Sequence, residues 1–384
     1  MRILVAMSGG VDSSVVAALM KEAGHEVIGA TLQLYDHGAA VQKKGACCAG
    51  QDIHDARRVA DTLDIPHYVL DREARFRAAV IDDFAATYAR GETPIPCVRC
   101  NQTVKFQDLV EMARDLGCEA MATGHYARRV EGPGGAELHR AVDPARDQSY
   151  FLFATTQDQL DFARFPLGDM PDKAAVRAVA ERLGLAVAQK PDSQDICFVP
   201  EGRYDRLVAK LRPETAEGGE IVDLSGQVLG RHEGIGRFTV GQGRGIGVGG
   251  TQERLFVAAI DAPRRRVVVG PRAALPQAEV VAGEVNWLST PPEGPVAVQV
   301  KLRGREQPRP GVMRWDATER LLRVVLEEPN IAAPGQACVI YDGDRVLGGG
   351  FLRAASPAMG ASATGAPATG APATGTIDRE GAAA

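Results

Sequence analysis

The sequence predicts an α/β protein, a doubly wound parallel sheet followed by smaller β-rich regions. Three observations carry this. Over the first two hundred residues short apolar runs alternate with amphipathic segments, the signature of βαβ units with helices on both faces of a parallel sheet. Near residue 200 the helical patterns fade, and short strands between Gly or Pro turns take over, as in small antiparallel sheets or a barrel. At 384 residues the chain allows two or three domains and a core without metal or disulfide staples.

Residues 3–7 form a continuous apolar run, which suits a buried parallel strand. Residues 13–23 follow with helical spacing (Val16, Leu19, Met20) and stop at Gly24. A strand over 27–34 precedes a helix over 52–63, with Ile53, Ala56, Val59 and Ala60 on one face. A strand at 67–70, a helix at 75–89, a helix at 103–116 ended by Gly117 and a strand at 120–123 complete the alternation. Beyond it, strands are expected at 220–228, 238–240, 255–260 and 266–269. Further strands are expected at 296–302, 312–315, 321–326, 337–341 and 346–351. These patterns divide the chain into 1–205, 206–275 and 276–356, the second break falling around Pro271 and Pro276. From Ala354 the composition collapses to small residues, with a five-residue repeat led by Gly360, Gly365 and Gly370. Such a stretch cannot bury enough apolar surface to offset chain entropy, so 357–384 reads as a disordered tail.

The charge balance, 44 basic against 49 acidic residues, leaves a net charge of −5, so a nucleic-acid partner would need local basic patches. Aromatics at 5% argue against a surface that stacks many bases. Seven cysteines, an odd number over a long chain, do not make a disulfide framework and point to a reducing compartment. No apolar run is long enough to span a bilayer. The first seven residues are too short for a signal peptide and run straight into a glycine motif, so the protein is expected in the cytoplasm.

That motif, Ser8-Gly9-Gly10-Val11-Asp12-Ser13-Ser14, lies between the first strand and the first helix. Glycines there let backbone N–H groups converge on an anion, and the helix N-terminus adds partial positive charge. Ser8, Ser13 and Ser14 add hydroxyls, and Asp12 is placed near a phosphate-bound magnesium. The motif is neither a P-loop nor a dinucleotide fingerprint. It is similar to the pyrophosphate loop of N-type ATP pyrophosphatases, which adenylate a carbonyl or carboxylate oxygen.

Cys97-Val98-Arg99-Cys100-Asn101 precedes the helix at 103–116, and Cys197 closes Lys190-Pro191-Asp192-Ser193-Gln194-Asp195-Ile196-Cys197. A helix N-terminus with Arg99 and Lys105 nearby is expected to lower the Cys100 thiol and favour thiolate. Lys190 is the available partner for Cys197. Cys118 and Cys338 sit in apolar patterns and read as packing residues, while Cys47 and Cys48 lie in a Gly-Ala loop with a packing or lid role. A zinc site would need a second close Cys pair. His125, after a strand end, is expected to contact substrate. In the third region Lys301-Leu302-Arg303-Gly304-Arg305, with Arg309 and Arg314, is the best phosphate-contact stretch.

Over roughly residues 1–353 the chain resembles the bacterial tRNA-uridine 2-sulfurtransferases. The resemblance rests on SGGVDSS at 8–14, CVRCNQTVKF at 97–106, ATGHYAR at 122–128 and DQSYFLF at 147–153. It rests equally on KPDSQDICF at 190–198, GRHEGIGRFTVGQ at 230–242 and APGQACVIYDGDRVLGGG at 333–350. It implies an adenine-nucleotide α hydrolase-like domain, a small central β-rich domain and a C-terminal β-barrel. It also implies ATP-dependent thiolation of the wobble uridine in tRNAs for glutamate, glutamine and lysine, through adenylation of the C2 oxygen. Ala6, Met7, Ser8, Gly9, Gly10, Val11, Asp12 and Ser13 match the ATP loop, with Leu32 and Gly124 as further ATP contacts. Cys197 matches the persulfide carrier, loaded by a relay from a cysteine desulfurase, and Cys100 matches the second catalytic cysteine. Cys100 then attacks the persulfide and ends in a disulfide with Cys197. His125, Arg146, Asp147, Gln148 and Gln336 match tRNA contacts.

Two positions depart from the family pattern. Cys97 stands where many members carry Asp, and Gly243 stands where they carry a basic residue. Cys97 opens a second reading, the same thiolation through a [4Fe–4S] cluster held by Cys97, Cys100 and Cys197. A third reading is an ATP-gated tRNA-binding protein without catalysis, against which the two retained cysteines argue. An amidotransferase-type synthetase would need an ammonia source, and no glutaminase-like segment is visible. The expected cofactors are ATP and Mg2+, the expected partners tRNA and a sulfur donor, with no membrane, and the expected state is a monomer.

Overall fold

The computed structural model describes residues 1–35, 48–192, 196–199, 202–249 and 253–354, and the expected tail at 357–384 lies outside them. Strand β1 (Arg2–Ala6) pairs in parallel with β2 (Glu26–Gln33) on one side and β4 (Ala120–Ala122) on the other. With β3 (His67–Asp71) and β7 (Ala163–Arg164) the order is β3-β2-β1-β4-β7, all parallel. The two-residue period of a strand sends Leu4 to one face and Ile3 and Val5 to the other, each into its own core.

Helices α1 (Val11–Glu22) and α2 (Cys48–Thr62) cover the Ile3 face through Val15, Val16, Ala56 and Val59. Next in the chain α3 (Glu73–Phe76) runs through a π-helical turn (Arg77–Ile81) into α4 (Asp82–Ala89). In the same way α5 (Pro96–Cys100) runs through a π-helical turn (Asn101–Lys105) into α6 (Phe106–Asp115). Leu109 and Val110 of α6, with Leu160 of α7 (Gln157–Phe162), cover the Leu4 face, while Val176 and Ala180 of α8 (Lys173–Arg182) join the Ile3 face. The doubly wound prediction therefore holds.

Helix α9 (Tyr204–Leu211) packs Val208 against Phe84 and Tyr88 of α4 and leads into the second region. There β8 (Gly219–Val222), β9 (Val228–His232), β10 (Leu255–Asp261) and β11 (Arg266–Pro271) form a sheet ordered β10-β11-β8-β9. In the third region are β12 (Gln277–Trp287), β13 (Val296–Lys301), β14 (Arg309–Asp316), β15 (Leu321–Asn330), β16 (Ala337–Asp342) and β17 (Arg345–Leu352). They run antiparallel in the order β12-β15-β14-β13-β16-β17, and pairing of β12 with β17 closes a six-stranded barrel. The hairpin β5 (Ala127–Gly132) and β6 (Gly135–Arg140) comes from the first region, yet it adds to the barrel sheet through Arg345↔His139.

Several expectations are corrected. The helix expected at 103–116 is the second half of a run that starts at Pro96, whose fixed φ suits the first helical position. The strand expected at 220–228 breaks at Asp223, whose carboxylate accepts from the Ser225 and Gln227 amides at 2.8 and 2.9 Å and makes a turn. Residues 238–240 form no strand, and Phe238 instead fills the core of the second region. Strand β12 went unanticipated because Glu279, Gly283 and Glu284 interrupt its apolar alternation.

Candidate functional site

The glycine loop leaves the C-terminal end of β1, between β2 and β4, the switch point at which doubly wound sheets bind ligands. Gly9 has φ +72°, and a Cβ there would lie 2.1 Å from the Asp52 carbonyl oxygen, so no other residue fits. The Ser8 amide donates to Ser13 Oγ at 3.0 Å, and the Ser13 and Ser14 hydroxyls donate to the Gly10 carbonyl at 3.2 and 2.9 Å. These bonds pin the loop from inside. Gly10 caps α1 without a side-chain bond, which leaves first-turn N–H groups for an anion. A Cβ on Gly124 would lie 3.0 Å from the Ser13 amide nitrogen, so this glycine brings the end of β4 against the loop. Leu32, at the end of β2, packs beside the cores below.

Around the loop runs an ionic network that sequence reading did not find. Asp12 accepts from Tyr126 Oη at 2.7 Å and from Lys173 Nζ at 2.7 and 2.8 Å. Lys173 also pairs with Asp192 at 2.7 Å, and Arg146 holds the other Asp192 oxygen at 2.7 Å. Against the cost of burial, these two cations keep the Asp192 carboxyl below its usual range. Lys190 donates to the Gly9 carbonyl at 2.9 Å and pairs with Asp52 and Asp55 at 2.7 and 2.6 Å, so it serves the loop and not Cys197. Lys173 looks like an ordinary lysine after the N-cap Asp172, which is why its role was not legible. Both oxygens of Asp12 face an ammonium, so these residues do not fit a magnesium site of their own.

The cysteines lie along α5 and beside it. Cys97 is exposed in the first turn, whereas Cys100 is buried against Phe76, Val80 and Val104. Cys100 is therefore not at a helix N-terminus, and burial pushes its thiol up to about 11 despite Lys105. This corrects the expectation of a lowered Cys100. Arg99 does not help either, since it sits 4.0 Å over the Phe351 ring and pairs with Glu284 at 2.8 Å. Cys197 is brought to the same place by its neighbour Phe198, which packs edge-on against Phe76 and Phe84 at 5.7 and 5.2 Å. Cys197 is exposed, but the chain packed around it raises its thiol, with Lys105 and a Tyr35 hydrogen bond opposing the rise. Both thiols are free. Among the described residues no three His, Cys, Asp or Glu side chains are grouped to hold a metal ion. Cys118 and Cys338 are buried packing residues, Cys47 lies outside the described residues, and of Cys48 only the backbone is described.

The residues expected at tRNA fall into two groups. Arg303, Gly304 and Gln336 line a cavity of about 500 Å³ where residues 93–95, 150–151 and 239–242 meet the barrel. Arg305 lines it too, but Gln336 already donates its amide to the Thr93 and Pro94 carbonyls at 3.2 and 3.1 Å. Lys301 is 3% exposed and faces Asp147, so it is no phosphate contact. The Asp147 side chain, 1% exposed, accepts from the Ala141 and Ser149 amides and is closed off from a ligand, a correction to its expected role. Gln148 accepts from the Tyr126 amide at 2.9 Å, and Arg146 belongs to the ionic network. His125 shares a hydrogen bond with Thr123 Oγ1 at 2.9 Å and packs beside Phe106 and Phe165. Burial, then Lys105, holds it down at about 3, so it is neutral. The departure at Gly243 has a structural reason, because a Cβ there would lie 2.4 Å from the Phe256 ring.

Three family models cover the chain in order. The tRNA methyl transferase HUP domain matches residues 1–201, the tRNA methyl transferase PRC-barrel domain 207–271, and the aminomethyltransferase beta-barrel domain 277–352. The tRNA-specific 2-thiouridylase MnmA of Acidiphilium cryptum is 65% identical over 352 residues, covering 92% of this chain and 100% of its own. The chain belongs to the tRNA-specific 2-thiouridylase family. The tRNA-specific 2-thiouridylase MnmA of Gluconobacter oxydans is 63% identical over 360 residues, 92% of this chain and 99% of its own. A solved 4-thiouridine synthetase–RNA complex with bound ATP matches at 15% identity and a TM-score of 0.33, over 56% of this chain and 50% of that one, too slight a likeness to bear on the site. Membership in the 2-thiouridylase family makes the chain an enzyme, an ATP-binding transferase of tRNA modification. Among the described residues no helix is long and apolar enough to cross a membrane.

Proposed function

We propose that the protein thiolates the wobble uridine of tRNA at C2, in tRNAs of the glutamate, glutamine and lysine type. The observation that carries this reading is the grouping of Cys100, Cys197 and Lys105 around Leu32 and Tyr35, at the end of β2, next to the strand β1 that carries the glycine loop. The loop amides and the α1 N-terminus hold the ATP phosphates, and Lys173 is the cation that meets the released pyrophosphate. Ala6, Met7, Leu32 and Gly124 frame the rest of the nucleotide. The C2 oxygen of uridine attacks the α-phosphorus, pyrophosphate leaves, and the oxygen becomes a leaving group as AMP. A sulfur donor outside this chain loads Cys197 as a persulfide. The Cys100 thiolate attacks Cys197 Sγ, hydrosulfide leaves, and a Cys100–Cys197 disulfide forms. Hydrosulfide adds at C2 and displaces AMP. Arg303, Arg305 and Gln336 supply the tRNA contact, and the base leaves the anticodon stack to reach the thiols.

The test uses three single variants in a tRNA thiolation assay with iron and sulfide analysis of anaerobically purified protein. Cys100→Ser and Cys197→Ser abolish thiolation, and Cys97→Ser keeps a substantial part of it. A Cys97→Ser protein that is inactive and has lost iron present in the wild type overturns the persulfide route. ATP turnover without AMP and pyrophosphate as products overturns the adenylation step.

A further inference from the structure

Lys105 closes the π-helical turn that joins α5 to α6. In an unbroken α-helix residues 100 and 105 would point roughly 140° apart. A π turn, with its i→i+5 bonds, brings them onto one side, and such turns concentrate at functional sites. The side chain is half-buried, and among the described residues it has no carboxylate or carbonyl partner. Its electrostatic neighbours are Cys97 and Cys100 on its own helix run, Cys197 across from it, and His125 beyond β4. His125 is neutral, and Tyr35 contributes a hydrogen bond to Cys197. Although burial works against its charge, the three sulfurs hold the Lys105 ammonium above the usual lysine range. A cation removed from water normally faces an acid. Here the groups in that position are thiols.

We propose that the Lys105 ammonium is the counter-charge of the sulfur anions at Cys100 and Cys197, acting on the reacting sulfurs in each step that leaves one of them negative. The proposal rests on sulfur chemistry at these two cysteines. The ammonium keeps its proton throughout and stabilises the thiolate or persulfide anion that carries the charge.

The experiment measures the pH dependence of iodoacetamide alkylation at each cysteine by mass spectrometry, on full-length protein without tRNA or ATP. Cys100 and Cys118, both 6% exposed, report on the fold by staying protected. Lys105→Met and Lys105→Gln slow alkylation of the exposed Cys197 at pH 9 by about tenfold, the consequence of a one-unit rise in a thiol pKa. Its profile moves to higher pH while the two buried thiols stay protected, and Lys105→Arg restores the wild-type profile. In thiolation the two neutral variants lower kcat, with the pH optimum moved upward, and Lys105→Arg rescues it. A wild-type alkylation profile at Cys197 in either folded neutral variant overturns the proposal. A Cys100→Ser protein that still thiolates tRNA overturns the function reading instead, leaving the alkylation result untouched.

Discussion

Asp147 gives the sharpest test of what is structural and what touches tRNA. Its side chain is 1% exposed and that of Lys301 3%. Asp147 accepts from the Ala141 and Ser149 amides at 3.2 and 3.1 Å, from Ser149 Oγ at 3.0 Å and from Lys301 at 3.4 Å. Lys301 otherwise faces the rings of Tyr150 and Tyr341, at 5.8 and 5.9 Å from their centroids. The two single deletions are therefore unequal. Asp147→Ala strands a buried ammonium on two ring faces and is expected to cost about 3–5 kcal/mol. Lys301→Met leaves the carboxylate three donors and the Arg140 guanidinium at 3.7 Å, and costs about 1–2 kcal/mol. The double variant recovers part of the loss, with a coupling of about 2 kcal/mol. Urea unfolding of the four proteins measures these values, and tRNA affinity at a temperature where all are folded stays within about twofold. A stable Asp147→Ala protein that no longer binds tRNA would refute the reasoning and return Asp147 to the ligand.

His125 titrates at about 3 when folded against 6.5 when exposed, so the unfolded chain binds the extra proton. Its contribution to stability is complete above about pH 6.5 and is lost as pH falls toward 3; His125→Asn flattens this limb of the stability curve by one proton. Arg303→Ala with Arg305→Ala weakens tRNA binding and lowers the slope of log affinity against log salt by roughly 1.5; an unchanged slope moves the footprint away from the cavity. Gly9→Ala adds about 1–2 kcal/mol of left-handed strain to a collision with the Asp52 carbonyl, and is expected to lower the melting temperature and raise the KM for ATP.

The parallel sheet was legible because β1, β2 and the helices over them follow one period each. The glycine loop was legible because its backbone geometry demands its composition. The cysteine positions could be read, but their environment could not. Whether Cys100 meets solvent depends on Phe76 and Val80, twenty or more residues earlier in the chain, at the start of and within another π-helical turn. The helix pattern placed Arg99 beside Cys100, while the barrel, through Phe351 and Glu284, draws it away. Lys173, Tyr126 and Asp192 were missed for the same reason. Each looks ordinary locally and becomes part of a site only when α8 and the segment at 187–192 fold over the loop.

The β5–β6 hairpin has a consequence for synthesis on the ribosome. Its partner strand β17 is made much later: Arg128 of the hairpin bonds to Asp344, just before β17, across 216 positions of chain. At ordinary elongation rates that distance takes roughly 10–40 s. For that time the nascent first region carries an uncovered strand edge, open to pairing with another copy. Edge residues Glu137 and His139, joined at 3.0 Å, place polar side chains on that strand during the wait. Completion of the barrel then joins the two regions by backbone pairing, so the catalytic region and the barrel are expected to unfold as one cooperative body.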